Sequence, residues 1–257
     1  MIQPTSSKPF TVAVLADIHG NLAALRAVLA DLATQSYDQL VIAGDLVMNG
    51  PHPKETLACV RALQVPTLFG ETDRAVVEAR SDHALACWTA EQIGEEGVAY
   101  LDTLSFSHSI MPPQQASPET ELLIVHATPT NAAAFLVLQP NSLDSRCATP
   151  TPEAEVSALI GSAHSRLILH GHLHYASSGW VGGQHVISIG AVGFPFDGNQ
   201  EAAYALATWN GRRWEITHRR VSYDYESVIA AVICSRQPLA DTIVQRLRTA
   251  RWCPPLS

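Results

Sequence analysis

The sequence has no CxxC pair, few charged residues and a shortage of basic ones. Its five cysteines, Cys59, Cys87, Cys147, Cys234 and Cys253, are odd in number and scattered. A disulfide framework would want pairs, so buried or inert thiols in a reducing cytoplasm are expected. No basic run precedes an apolar stretch in MIQPTSSKPF. The first apolar segment, Val12 to Ala16, is too short for a signal or a membrane span. The expectation is a soluble cytoplasmic protein with no membrane partner. Lys and Arg number 16 against 24 Asp and Glu, a formal net charge of -8. A domain that grips nucleic-acid backbone is normally basic, so no stable nucleic-acid complex is expected. The Trp and Phe residues show no stacking motif for nucleic acid either. There is no internal repeat and no low-complexity segment.

What is present is a core-forming α/β chain. Hydrophobic residues make up 47% of the 257 positions, enough for a substantial core. Phe10 to Ala16 is β-branched and apolar, like a strand buried on both faces. Asn21 can cap a helix whose Leu22, Leu25, Leu29 and Leu32 share one face. Leu40 to Ala43 reads as a second strand. Pro53 can open a helix with Leu57, Val60 and Leu63 on its inner stripe. Val65 to Phe69 reads as a third strand. This βαβαβ order predicts a parallel sheet with helices on its faces.

A helical segment at about 72–104 is expected to cover a sheet edge. Strands are expected at SFSHSI and ELLIVHA, on either side of a connector from Met111 to Glu119. Leu138 to Pro152 is polar and Pro-punctuated, and reads as a loop or flap. Further strands are expected at Arg166 to Leu169, His185 to Ile189, Ala202 to Ala207 and Trp214 to His218. A helix pair closes the chain at about 225–248. Two packed sheets with helices outside account for this order, in one domain spanning 1–257.

Five of these segments share one design: an apolar strand ends in metal-binding residue types, beside a glycine in all but the His126 segment. They are Asp17-Ile18-His19-Gly20, Gly44-Asp45, Gly70-Glu71-Thr72-Asp73, His126 and His170-Gly171-His172-Leu173-His174. Sites in open α/β sheets lie beyond the carboxyl ends of the strands. Each segment alone has an ordinary structural explanation; five in this order do not. Mixed imidazole and carboxylate ligation suits Mn, Fe, Zn, Ni or Co rather than Ca, with manganese placed first. A two-metal phosphoester site holds its ions roughly 3.5–4 Å apart, activates a shared water and aligns in-line attack. Asn49 and His52, in the loop after Asp45, are candidates to reach substrate. His83 and His108 read as structural or exposed. Gly190 to Pro195 reads as a tight backbone that supports the site.

These motifs resemble the calcineurin-like metallophosphoesterases, in particular the bacterial branch grouped with diadenosine tetraphosphatases and small phosphodiesterases. ADIHGNLAAL, VIAGDLVMNGPHP, VHATP, GHLH and ISIGAVGFPFDGNQEAAYAL carry the resemblance over nearly the whole chain. It implies a four-layer α-β-β-α sandwich of two mixed sheets flanked by helices. It implies two divalent transition-metal ions, the first held by Asp17, His19, Asp45 and His174. The second is held by Asp45, Glu71, His126 and His172, with Asp45 as the bridge. Asp17, His19 and Asp45 then sit at the centre of catalysis.

The chain departs from the family pattern where Glu71-Thr72 replaces the usual Asn-His. A carboxylate stands where an amide should coordinate, and the usual proton donor is gone. Two divalent ions, a hydroxide, two aspartates and Glu71 sum to about zero formal charge. The resemblance implies hydrolysis of a small phosphorylated substrate, a phosphodiester or phosphoanhydride of nucleotide type. A non-catalytic ligand-binding or scaffold protein on the same fold is the alternative, and a serine/threonine phosphatase a third reading. Homo-oligomerisation is left open.

Overall fold

A computed structural model describes residues 9–113, 115–117, 119–140 and 148–255. The elements follow in chain order. β1 (Phe10–Leu15), α1 (Leu22–Leu32), β2 (Gln39–Ala43), α2 (Pro53–Leu63) and β3 (Thr67–Leu68) come first. α3 (Glu71–Glu78) and α4 (Ala84–Asp102) follow. Then come β4 (Ser107–Ile110), β5 (Leu122–Val125), β6 (Leu138–Pro140), β7 (Ala148–Pro150) and α5 (Glu153–Ile160). The chain closes with β8 (Leu167–His170), β9 (Ala176–Val181), β10 (Gln184–Ile189), β11 (Ala202–Trp209), β12 (Trp214–Val221), α6 (Tyr225–Ser235) and α7 (Ala240–Thr249).

Two five-stranded mixed sheets result, in the orders β12-β11-β1-β2-β3 and β4-β5-β8-β10-β9. β1, β2 and β3 are parallel, as the βαβαβ pattern predicts, and β11 joins β1 antiparallel. Alternation along the strands builds the layers. Val12, Val14, Val41 and Ala43 meet Ile124, Leu169 and Ile187 between the sheets. Ala13, Leu15 and Ile42 point the other way, onto α1, α2, α6 and α7. Val125, Ile168 and Val186 of the second sheet pack against Val156 and Ile160 of α5. The fold is therefore the expected four-layer α/β sandwich. Each fully buried Val or Leu in these layers contributes about 1.5–3 kcal/mol.

Local chemistry explains the element ends. Asn21 Oδ1 accepts from the Ala24 amide and starts α1. Pro53 occupies the first turn of α2, where its missing N–H costs nothing. The third strand is shorter than expected, because Pro66 cannot donate to a ladder. Unforeseen were α5 and β9, whose ASSGWV sequence has weak strand propensity, and the strands β6 and β7. The expected loop at Leu138 to Pro152 contains the short antiparallel pair β6-β7. Residues 141–147, Cys147 among them, lie outside the described residues, as do most of MIQPTSSKPF and Gln114 and Pro118 of the connector. The other four cysteines are free thiols, but none is buried and Cys234 is exposed. Among the described residues no helix is long and apolar enough to cross a membrane.

Candidate metal centre

The five strand-end motifs converge beyond the carboxyl ends of β1, β2, β3, β5 and β8. The seven side chains they carry form two groups, each of which could hold a metal ion: Asp17, His19, Asp45 and His174; and Glu71, His126 and His172. Asp45 lies between the groups. Its Oδ2 is 3.5 Å from His19 Nε2 and its Oδ1 is 3.5 Å from His126 Nε2.

The backbone is bent to achieve this. Asp17, His19, Asp45, His172 and His174 all take positive φ, between 50° and 64°. Such a conformation is uncommon for residues other than glycine and persists only where the surroundings enforce it. Here the enforcing contacts are visible. His19 N donates to Asp45 O, and Val192 and Gly193 N donate to Ala16 and Asp17 O. The 190–195 segment thus holds the β1 turn through its backbone. Gly70 is required by close approach, since a Cβ there would lie 2.0 Å from Asp45 Oδ1.

Backbone carbonyls set the imidazole tautomers. His19 Nδ1 lies 3.0 Å from Met48 O, His126 Nδ1 2.7 Å from Ala43 O, and His174 Nδ1 2.5 Å from Phe194 O. A carbonyl can only accept, so each Nδ1 carries a proton and each ring turns its Nε2 inward, bare where the ring is neutral. His19 Nε2 and His174 Nε2 then face each other at 3.1 Å. Two lone pairs so placed call for a cation between them. Burial, reinforced by the neighbouring His174, pushes His19 down to about 3, which keeps that ring neutral. Asp45 Oδ2 is buried with no hydrogen-bond partner, and so is His172 Nε2. Burial, with Glu71 adding to it, raises the Asp45 carboxyl well above its ordinary range. These donors fit metal cations.

Glu71 does not turn away to Arg74, which pairs with Asp102 and lies over the Phe69 ring. Its Oε2 is 2.7 Å from His126 Nε2 and 3.0 Å from His172 Nδ1. The 2.7 Å contact needs a proton. Burial alone would lower His126, but Asp45 and Glu71 outweigh it and raise that ring well above its usual value.

Asn49 and His52 are not among the seven grouped side chains. Asn49 Nδ2 lies 3.2 Å from His19 Nδ1, and His52 caps α2 with a buried, unpartnered Nδ1. His83 caps α4, and His108 lies in β4.

Sequence reading placed Asp73 in the third strand-end motif but gave it no role of its own. Fully buried, it accepts from the amides of Asp45, Leu46 and Gly70, tying the β2 and β3 turns together. Its place three residues after Gly70 was the available signal. Also missed were Phe135, stacked on His172 at 4.7 Å, and Phe196, stacked on His174 at 4.5 Å.

The profile of the calcineurin-like phosphoesterase superfamily domain matches residues 10–212. The chain belongs to that superfamily. An uncharacterised protein of Methanocaldococcus jannaschii is 27% identical over 244 residues, covering 88% of this chain and 93% of that one. A metallophosphoesterase from Sphaerobacter thermophilus superposes with a TM-score of 0.71 at 23% identity, over 94% of this chain and 99% of the other. A hypothetical protein of Pyrococcus horikoshii gives a TM-score of 0.75 at 21% identity, over 93% and 97%. The superfamily is metal-dependent, and this member carries two clusters able to hold metal.

Proposed function

We propose that this calcineurin-like protein is a dinuclear metal-dependent phosphoesterase that hydrolyses phosphodiesters or phosphoanhydrides of nucleotide type. One observation carries the reading: Asp45 lies between two groups of metal-binding side chains, with one carboxylate oxygen 3.5 Å from an imidazole Nε2 of each. Asp17, His19, Asp45 and His174 would hold one ion, and Asp45, Glu71, His126 and His172 the other. Manganese is the first choice of metal. The pair would supply Lewis-acid charge and a lowered water pKa.

The chain's own residues shape the rest. Met48, Ala43 and Phe194 carbonyls fix the rings, and Asp73 fixes the turn that carries Asp45. Thr72 stands where the family's proton donor would stand. Its amide donates to Asp45 Oδ1 at 3.0 Å, and its hydroxyl is buried. A threonine hydroxyl cannot protonate a leaving group at neutral pH. A positioned acid contributes typically about 10²–10⁴-fold, and alkoxide leaving groups need it most. Phosphoanhydrides and aryl diesters, whose leaving groups are stable anions, need it least. Glu71 also removes positive charge, which favours a monoanionic diester over a dianionic monoester.

The test is a matched series under saturating Mn: aryl diester, aryl monoester, dinucleoside polyphosphate, cyclic nucleotide and alkyl phosphate. Diester or anhydride turnover should lead. Faster turnover of phosphoserine or sugar monophosphates overturns the substrate assignment. No turnover at full metal occupancy favours a non-catalytic protein on this fold. If His52 substitutes as the acid, His52→Ala will slow alkyl esters more than aryl diesters.

A further inference from the structure

A second cavity, of about 650 Å³, opens at the other end of the sandwich. Phe10 begins β1 and pairs with Trp209 there, whereas Asp17 lies seven residues on at the metal centre. At about 3.3 Å per strand residue the two sites are roughly 20 Å apart. The cavity is the unclosed mouth of the layer between the sheets. Its floor is Trp209 and Trp214, packed edge to face at 5.6 Å.

Its wall is unusual. Trp180 is 71% exposed, the most exposed large apolar side chain among the described residues. One face of its indole is stacked on His185, with centroids 4.5 Å apart and planes 5° from parallel. The ring is thus held flat with its other face available. Three guanidiniums line the same cavity, from Arg166, Arg212 and Arg213, against the carboxylates of Glu119 and Glu215. Arg213 pairs with Glu215 at 3.3 Å and Arg166 with Glu119 at 3.8 Å. Arg212 has no carboxylate partner among the described residues. The sequence shows no stacking motif because these residues come from four separate strands and three connecting segments. Only the fold assembles them.

We propose that this cavity is a second ligand site, separate from the metal centre, that takes a planar aromatic ring bearing a phosphate, as in a nucleoside monophosphate. The volume lies within the range of small-molecule sites. A fixed indole face binds a base by stacking, tolerant of base identity. A guanidinium not engaged by carboxylate takes the phosphate through paired N–H donors.

The test is calorimetric titration of the metal-loaded protein with AMP, adenosine and inorganic phosphate in parallel. AMP should bind saturably and more tightly than either fragment. Trp180→Ala and Arg212→Ala should each weaken AMP by about tenfold or more. Trp180→Phe, which keeps a stacking face, should stay within a few-fold of wild type. Turnover of an aryl diester should be the same in all three variants, which separates this site from the proposed catalytic one. Equal AMP affinity in wild type and Trp180→Ala overturns the proposal, since binding then lies elsewhere. So does phosphate binding as tightly as AMP. So does a concentration-dependent dimer in sedimentation that Trp180→Ala abolishes, because the exposed indole would then be covered by a second copy.

Discussion

Asp17, His19, Asp45 and His174 are all buried and all take positive φ, whereas in the other group only His126 is buried and only His172 takes positive φ. Glu71 opens α3 with ordinary helical backbone and keeps 31% of its side chain exposed, and His126 ends β5. Strained backbone survives only where packing over-determines it, so the first group is rigid before any cation arrives. The second group borrows a partly exposed carboxylate from the first residue of a helix, on ordinary rather than strained backbone. One half of the centre is preformed and the other adjustable. The retention of metal should divide in the same way.

The largest effect should come from Asp45, the proposed bridge between the halves. Asp45→Asn should bring metal content from two ions per chain to fewer than one, as read by element-resolved mass spectrometry. It should lower aryl diester turnover by at least ~10²-fold. Protein that keeps two ions and its rate after this change would show that Asp45 is not the bridge.

Glu71→Asn should separate the halves. One ion should stay, and the other should be held about 10–100-fold less tightly, the range seen when a ligand's environment is altered. At saturating metal, turnover should rise, because the site regains positive charge. Unchanged metal affinity and unchanged rate would remove Glu71 from the centre and erase the contrast between the halves.

The parts legible in the sequence were those governed by short-range rules. β1 and β2 appear as apolar runs, and α1 is announced by Asn21 and its leucine stripe. The five strand-end motifs follow from the rule that α/β sites lie beyond strand carboxyl ends. β9 was hidden because Ser177, Ser178 and Gly179 carry little strand signal, and β10 supplies the pairing. The role of Asp73 was hidden because it lies in three amides contributed by two turns, a long-range fact. The Trp180, Trp209 and Trp214 cavity was hidden for the same reason. The metal-directed tautomers were likewise invisible, since they depend on which carbonyl each Nδ1 meets.

Asp73→Asn probes the scaffold beneath both halves. An asparagine offers one acceptor oxygen in place of two and turns an NH₂ toward amides that also donate. With buried donors left unsatisfied, the loss should be about 2–3 kcal/mol, read by denaturant unfolding of the metal-free protein. Metal content should fall as well, because the β2 and β3 turns come apart. If stability falls while both ions stay tightly bound, the clamp serves the fold and not the centre.

The smallest effect lies away from the metal centre, where α1 is tied to the first sheet. Asp31 accepts from Arg219 through Nη2 at 2.8 Å and Nε at 3.2 Å, and from the Tyr204 hydroxyl at 2.5 Å. The Arg219 hydrogen bonds, assisted by Tyr204 and opposed by burial, hold the Asp31 carboxyl below its ordinary 3.8. A carboxylate whose folded value is depressed stabilises the fold above its unfolded value, and loses that contribution as pH falls through the folded one. The pair is partly exposed, with 21% of the Asp31 and 34% of the Arg219 side chain open to solvent, so screening reduces its worth. Asp31→Asn should therefore cost about 1 kcal/mol at neutral pH and leave metal content untouched. The gap in melting temperature between wild type and Asp31→Asn should hold steady at neutral and mildly acidic pH. It should close once pH falls below 3.8, where the unfolded chain takes up the proton first. A gap that persists undiminished into strong acid would mean that shape, not charge, makes the contact, and that the helix is fastened here by packing alone.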